Sequence, residues 1–500
     1  MLNSAAIAKS TRYKYWVFGA LAIGTFASVV DHGSVTVALP SIAKDFQTDL
    51  PSAQWIVIGY ALTISALLLP MGRLADIAGR KRIYVLGTLV LVIGSVVAGL
   101  APNLGVLLVA RFVQGIGAAM TQGTSMAIIT SVFPAKERGR AIGLIMTTVG
   151  VGAVAGPAIG GLVVDALGWP AVFFMTIPLV LVGVAATLTV LKNWESEKAP
   201  AGSGFDWLGA ILSTGILVSL LLGLTTAHKA GWTSAPILGA FIVSASLIGV
   251  FIWWELRTRA PMLDLRFFKF RTFSFGICAA FFTFLGQSAV LFLMPFYIQN
   301  VLGYSPKVAG LVVVPGALAM AILGSVAGTL SDRFGFRWFT VGGLATSASG
   351  LLLLTRLTEN SSLWMVVPGL MLMSSGMGLF YSPNSSSVLS AVDRNNYGVV
   401  AGFLNLVRNS GNVVSLAIAT TVVTATMGSM GFEPSLEAVR GETEEGVRGA
   451  FTDGLRYSLF VLAGLVLTAM TISFLQGRPS KETQPIGGVA REQESATPGD

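Results

Sequence analysis

The chain has 500 residues, 53% of them apolar and only 11% charged, with a mean hydropathy of +0.75. Soluble domains carry about 25% charged residues, so this composition excludes a soluble globular protein. The net charge of +8 does not form a nucleic-acid patch, because the basic residues sit in short segments between apolar runs. One cysteine and two histidines leave neither a disulfide framework nor a cysteine–histidine metal site.

A membrane-crossing helix needs about 20 mostly apolar residues. Fourteen runs meet that description: 16–38, 53–71, 84–100, 104–129, 140–165, 171–190, 207–225, 235–254, 273–298, 308–328, 338–355, 363–384, 397–425 and 455–475. Their glycines and prolines do not argue against helices, since both are tolerated within a bilayer. Met1 to Lys14 is short and basic, as in a signal sequence. The first run is long and carries an acid, which favours a retained span. After the last run, 476–500 mixes Pro, Gly, Glu and Gln without periodic apolar positions and is expected to be disordered.

The loops fix an orientation. With the N-terminus inside, the inner segments hold 23 Lys and Arg and the outer segments hold seven, while Arg111 and Arg408 lie within helices. That bias places both termini in the cytoplasm and requires an even number of spans. The chain also repeats itself. Gly72-x-Leu74-x-Asp76-x-x-Gly79 follows the second run, and Gly328-x-Leu330-x-Asp332-x-x-Gly335 follows the tenth, 256 residues later. The expectation is an all-α membrane protein of two six-helix halves with two inserted helices. Its parts are a cytoplasmic N-terminus (1–15), a first half (16–190), a linker with the two extra helices (191–272), a second half (273–475) and the tail (476–500). Parallel halves of this kind bind substrate near the membrane midplane and rock to expose it alternately.

Several residues stand out physically. Asp31 is a carboxylate in an apolar first helix, costly there unless paired or protonated. It is the candidate for proton coupling, set against a structural hydrogen-bonding role. His32 is a second titratable group. Neighbouring helix positions point about 100° apart, so His32 and Asp31 need not share a cavity. Arg111 cannot usefully deprotonate and must pair, snorkel or face water. Arg408, among Asn405, Asn409 and Asn412, lines an interior or anchors its helix. Gln114, Gln287, Asn405 and Arg408 are candidate cavity residues. Gly152, Gly156 and Gly160, with Pro157, put bare backbone on one helix face where a neighbour can approach and slide. In the repeated segments the acids Asp76 and Asp332 can accept bonds from an inner loop, while Arg80 and its basic neighbours hold that loop at the anionic inner surface.

These motifs together resemble the major facilitator superfamily, specifically its fourteen-helix drug:proton antiporters. The resemblance covers about Tyr15 to Phe474. It rests on Asp31 with Val37-Ala38-Leu39-Pro40, on Trp55 and Tyr60, and on Gly72-Arg73-Leu74-Ala75-Asp76 with Gly79-Arg80-Lys81-Arg82. It rests further on Arg111, Gln114, Gly115 and Gly117, on Gly152, Gly156, Pro157, Gly160 and Gly161, and on Pro295 to Gln299 with Gly303. The chain departs from the family at Gly33 and Thr36, where Thr and Asn are usual, and at Pro170 and Thr176 after Trp169. The resemblance implies proton coupling through Asp31, with Arg111 relaying protons or holding the first helix.

The expected function is therefore a proton-coupled antiporter exporting small hydrophobic or cationic compounds across the cytoplasmic membrane. The alternatives are an exporter of one metabolite or natural product on the same fold, and a non-transporting sensor or scaffold. Neither a nucleotide-binding GxxxxGK[ST] loop nor a one-depth cluster of His, Asp and Glu is present. No enzyme activity, no cofactor and no metal are therefore expected. The expected partners are a small-molecule substrate, protons and lipid, without nucleic acid, and the chain is expected to act as a monomer.

Overall fold

A computed structural model describes residues 13–48, 50–133, 138–191, 206–231, 233–258, 265–392, 397–432 and 446–476. The expected tail from Gly477 onward, residues 1–12 and the loop 433–445 lie outside them. Among the described residues there are fourteen long helices and no strand. In chain order these are α1 (Tyr13–Asp45), α2 (Trp55–Ala78), α3 (Arg80–Gly99), α4 (Leu104–Val132), α5 (Arg138–Leu167), α6 (Pro170–Val190) and α7 (Trp207–Ala230). They continue with α8 (Ala235–Glu255), α9 (Arg271–Phe296), α10 (Pro306–Phe334), α11 (Phe336–Leu354), α12 (Leu363–Ser390), α13 (Tyr397–Ser429) and α14 (Val447–Leu475). Eleven of them are long and apolar enough along their length to cross a membrane. The chain is a multi-pass membrane protein.

Helix pairing repeats between the halves. In the first half α1 packs on α5 and α6, α4 on α2 and α3, and α3 on α6. In the second half α9 packs on α13 and α14, α12 on α10 and α11, and α11 on α14. The halves meet where α5 lies against α10, α2 against α13 and α1 against α9. Helix α7 rests on both α2 and α13, along the outside of their seam, and α8 packs on α7, burying only Ile237, Ser244 and Glu255.

The repeated motif is more helical than its loop-like spacing suggests. Helix α2 runs on through Ala78, and only Gly79, at φ +101°, breaks it from α3. Gly335, at φ +83°, does the same between α10 and α11. That backbone region is open to glycine at little cost and strained for other residues. The helix persists because its last turns are packed: Ala75 is buried in a cluster with Ile83 and Met120, against which Met71 and Leu74 lie. Lys81, at the start of α3, donates to the Leu191 carbonyl at 2.8 Å and so caps the end of α6. The side chains of Asp76 and Asp332 are outside the described set.

One apolar core joins the halves at the end of the bundle where α1 finishes, including Val37, Leu39 and Ile42 with Phe296, Ile298 and Val301. Beside it, Gln299 donates to the Val37 carbonyl at 3.0 Å across the two halves. A second cluster, including Leu21, Phe133, Phe273 and Val400, lies at the opposite end. The intramembrane charges fall between these two apolar plugs.

Candidate functional site

Asp31 and Arg111 find each other across 80 residues of sequence. Arg111 Nη1 lies 2.9 Å from Asp31 Oδ2, with the two side chains 0% and 2% exposed. A buried arginine is tolerable only when its donors are occupied. Arg111 meets that demand with its Nε on the Ile56 carbonyl at 2.9 Å and Nη1 also on Gln114 Oε1 at 2.8 Å. Its guanidinium sits 4.3 Å from the Tyr60 ring centroid, a cation–π contact. Gln114 passes the chain on to Ser95 Oγ at 2.8 Å, and Ser95 to the Leu91 carbonyl at 2.9 Å. One guanidinium thus ties α1, α2 and α4 together and reaches α3 through Gln114. The pair is one-pronged, since Asp31 Oδ1 and Arg111 Nη2 are buried without a hydrogen-bond partner.

His32 turns away from this pair. Its ring stacks on Tyr60 at 6.1 Å, so Tyr60 stands between the imidazole and the guanidinium. The Tyr60 hydroxyl and Ser28 Oγ share a hydrogen bond of 2.9 Å, and Gln122 reaches Ser28 at 3.5 Å. His32 is half-buried.

Two of the four candidate cavity residues, Gln114 and Gln287, are buried against neighbouring side chains. Gln114 is fully buried and held by Arg111 and Ser95. Gln287 is 6% exposed and donates to Ser347 Oγ at 3.2 Å. Both fall on helix faces turned into their own half, toward α3 and α11. Asn405 and Arg408 are half-buried and share a face with Asn412, which bonds Ser288 on α9.

The glycine stripe does bring a helix close. A Cβ added to Gly156 would lie 3.0 Å from the Val30 carbonyl, and one on Gly160 2.5 Å from Ser34 Cα. Gly152 faces Val29 in the same way, and Pro157 packs on Gly33. Ser34 Oγ donates to the Gly156 carbonyl at 2.7 Å. The stripe therefore carries the stretch of α1 that holds Asp31 and His32. Gly161, beside it, approaches Gly310 of α10 in the other half.

Sequence reasoning missed the roles of Ser95, of Gln299 and of Tyr60 as the separator of the two cationic groups. Ser95 had a faint signal, as a polar side chain one turn from the end of an apolar helix.

Two pseudo-symmetric six-helix halves, the first enclosing a buried ion pair, define the class, a membrane transporter of alternating-access architecture. The profile of the Major Facilitator Superfamily matches residues 21–416, and the chain belongs to that family. It is 33% identical to the multidrug resistance protein Stp of Mycobacterium tuberculosis over 84% of this chain and 77% of that one. It is 31% identical to the riboflavin transporter RibZ of Clostridioides difficile over 82% and 87%. Its fold matches the crystal structure of a bacterial homolog to the human lysosomal transporter Spinster, with a TM-score of 0.62 at 22% identity, covering 93% of this chain and 97% of that one.

Proposed function

We propose that the chain is a proton-coupled antiporter that exports small hydrophobic compounds across the cytoplasmic membrane, with both termini in the cytoplasm. The observation that carries the coupling is the Asp31–Arg111 pair, buried and one-pronged in the middle of the first half. A proton arriving at the open Oδ1 would cancel the charge on Asp31. Arg111 would keep its bonds to Ile56 and Gln114 and its seat on Tyr60, which limits the penalty of separating the pair. Helix α1 would then be released from α4 while resting on the bare backbone of α5. Protonation and the rocking of one half on the other would thereby be linked. The Gly79 and Gly335 breaks would act as the pivots between adjacent helices.

Similarity to Stp supports multidrug efflux, and similarity to RibZ supports the second reading, export of one metabolite. A panel of cargoes in a pump-deficient host separates these: broad protection for the first, a single protected compound for the second.

The coupling is tested with purified protein in vesicles, a pH dye on one side and cargo on the other. Asp31→Asn keeps size and most hydrogen bonding but carries no proton. The variant should insert, remain folded and lose uphill export driven by an imposed proton gradient. Exchange of protons for cargo at the wild-type rate would rule Asp31 out as the coupling group.

A further inference from the structure

The shift of 256 residues between the motif copies extends well beyond them. Gly87 and Gly94 of α3 map onto Gly343 and Gly350 of α11. In space Gly117 lies on Gly87 and Leu91, and Gly376 lies on the matching Gly343 and Ser347, so α4 maps onto α12 with a shift of 259. The same correspondence sets Gln287 opposite Asp31, Leu370 opposite Arg111 and Gly316 opposite Tyr60. It also sets Gly310 opposite Gln54, the residue just before α2. Gly310 has no side chain and lies against Pro157 and Gly161. The shared packing plan therefore does not call for an amide at this place.

Gln54 stands inside the apolar core that joins the halves at the end where α1 finishes. Ala53, Ile56 and Val57, on either side of it in sequence, belong to that core, together with Ala419 and Val423 of α13. The turn is held in place. The Gln54 carbonyl accepts from the Val57 and Ile58 amides at 3.0 and 2.9 Å, and the short helix Leu50–Ala53 packs on α13. Gln54 is 0% exposed, and neither its Nε2 nor its Oε1 has a hydrogen-bond partner. Among the described residues it is the one buried carboxamide with both ends unbonded. Gln299, beside the same core, differs in that its Nε2 donates to the Val37 carbonyl. An amide buried among apolar groups without a partner is costly. Once the core parts, water reaches the amide and the cost is gone.

We propose that Gln54 is a gating residue, a load built into the closed state of this end of the bundle that favours its opening. The closed core buries apolar surface from both halves, and the Gln299 bond strengthens it. Unopposed, such a contact would hold the protein in one arrangement. Gln54 opposes it, because its amide is penalised only while the core is shut. Alternating access needs two arrangements of comparable free energy, and this side chain moves them closer together. The same turn carries Ile56, whose carbonyl takes Arg111 Nε at 2.9 Å. Opening at Gln54 therefore brings water to the turn on which the buried cation leans. The inference goes beyond the export reading and needs only that the two halves rock.

The test uses full-length protein in phosphatidylcholine nanodiscs, with Cys278 replaced and spin labels at Lys44, near the end of α1, and at Tyr304, beyond α9. Both positions are exposed. Gln54→Met keeps the length of the side chain and removes both polar ends. It should shift the distance distribution toward the closed arrangement by about tenfold, the range expected for relieving an unsatisfied buried group. Gln54→Leu should act in the same direction. A wild type that is already closed would hide the shift, so Gln54→Met is also combined with Gln299→Ala, whose opened distribution it should return toward closure. An unchanged distribution in both backgrounds would overturn the proposal, because the amide would then be satisfied while the core is shut. A shift toward separation would overturn it too, by making Gln54 a latch. So would failure of both apolar variants to fold, which would show that the amide stabilises the closed core. The readout needs neither cargo nor a proton gradient, so this proposal and the export reading can fail separately.

Discussion

The two six-helix halves share a packing plan and differ in their polar chemistry. Glycine contacts hold α3 to α4 and α11 to α12 at matching positions. The first half uses that frame to enclose Asp31, Arg111, Gln114 and Tyr60, whereas the second encloses Gln287, Leu370, Met373 and Gly316 at the corresponding places. Both halves share one helix-pairing pattern, and the second adopts it without an ion pair at these places. Proteins replace buried ion pairs with apolar groups at little or no loss of stability, and the second half has the neutral arrangement. That contrast is what the proposed coupling role of Asp31 builds on.

The comparison can be broken most sharply by making the first half resemble the second. Arg111→Leu alone copies Leu370 and strands the Asp31 carboxylate. It should destabilise the protein by about 3–5 kcal/mol, read as a fall in thermal midpoint in detergent. The double variant Asp31→Gln with Arg111→Leu copies both partners and should recover most of that loss while remaining inactive in gradient-driven export. If the double variant is no more stable than Arg111→Leu, the two halves are not equivalent at this position.

Next in size is the glycine stripe. The counterpart of Gly156 is Ser415, whose Oγ accepts from the Ala289 amide at 3.0 Å, so the second half is bonded where the first is bare. Gly156→Leu should force α1 away from α5, at about 1–3 kcal/mol of overpacking, and lower export more than membrane abundance. Normal export by a well-expressed variant would show that the close approach is not needed for the cycle.

The smallest expected effect lies at the seam. Gln299→Ala removes one buried bond between the halves, worth about 0.5–1.5 kcal/mol. It should shift the balance toward separation of the α1 and α9 ends by roughly fivefold, seen as a change in spin-label distances between those ends. An unchanged distribution would place the hold on that end in the apolar core alone. Orientation is checked independently. After Cys278 is replaced, single cysteines in the 426–454 loop should react with an impermeant reagent from outside, and reaction only in inverted vesicles would reverse the topology.

Much of the fold is legible in the chain because the bilayer imposes a length and a polarity on every span. Fourteen apolar runs became fourteen long helices. Several ends lie further out, as where 16–38 became Tyr13–Asp45 and the start at 455 became Val447, because a helix does not stop where its apolar residues stop. The candidate site was legible in part. Asp31 and Arg111 were visible as charges without water, but Gln114 and Gln287 read as cavity residues and proved to be buried. A polar residue in an apolar helix announces that it needs a partner and does not say on which side the partner lies.

The sequence by itself determined the number of helices, their internal repeat, the intramembrane charges and the positions where backbone could approach backbone. Each of these follows from local composition or from a fixed spacing along the chain. Only the tertiary structure decided that Arg111 closes on Asp31 and that Tyr60 separates that pair from His32. It also decided that Gln299 spans the seam. These are contacts between helices dozens to hundreds of residues apart. Their partners are set by rotation, tilt and packing of whole helices, which the periodicity of a single helix cannot specify.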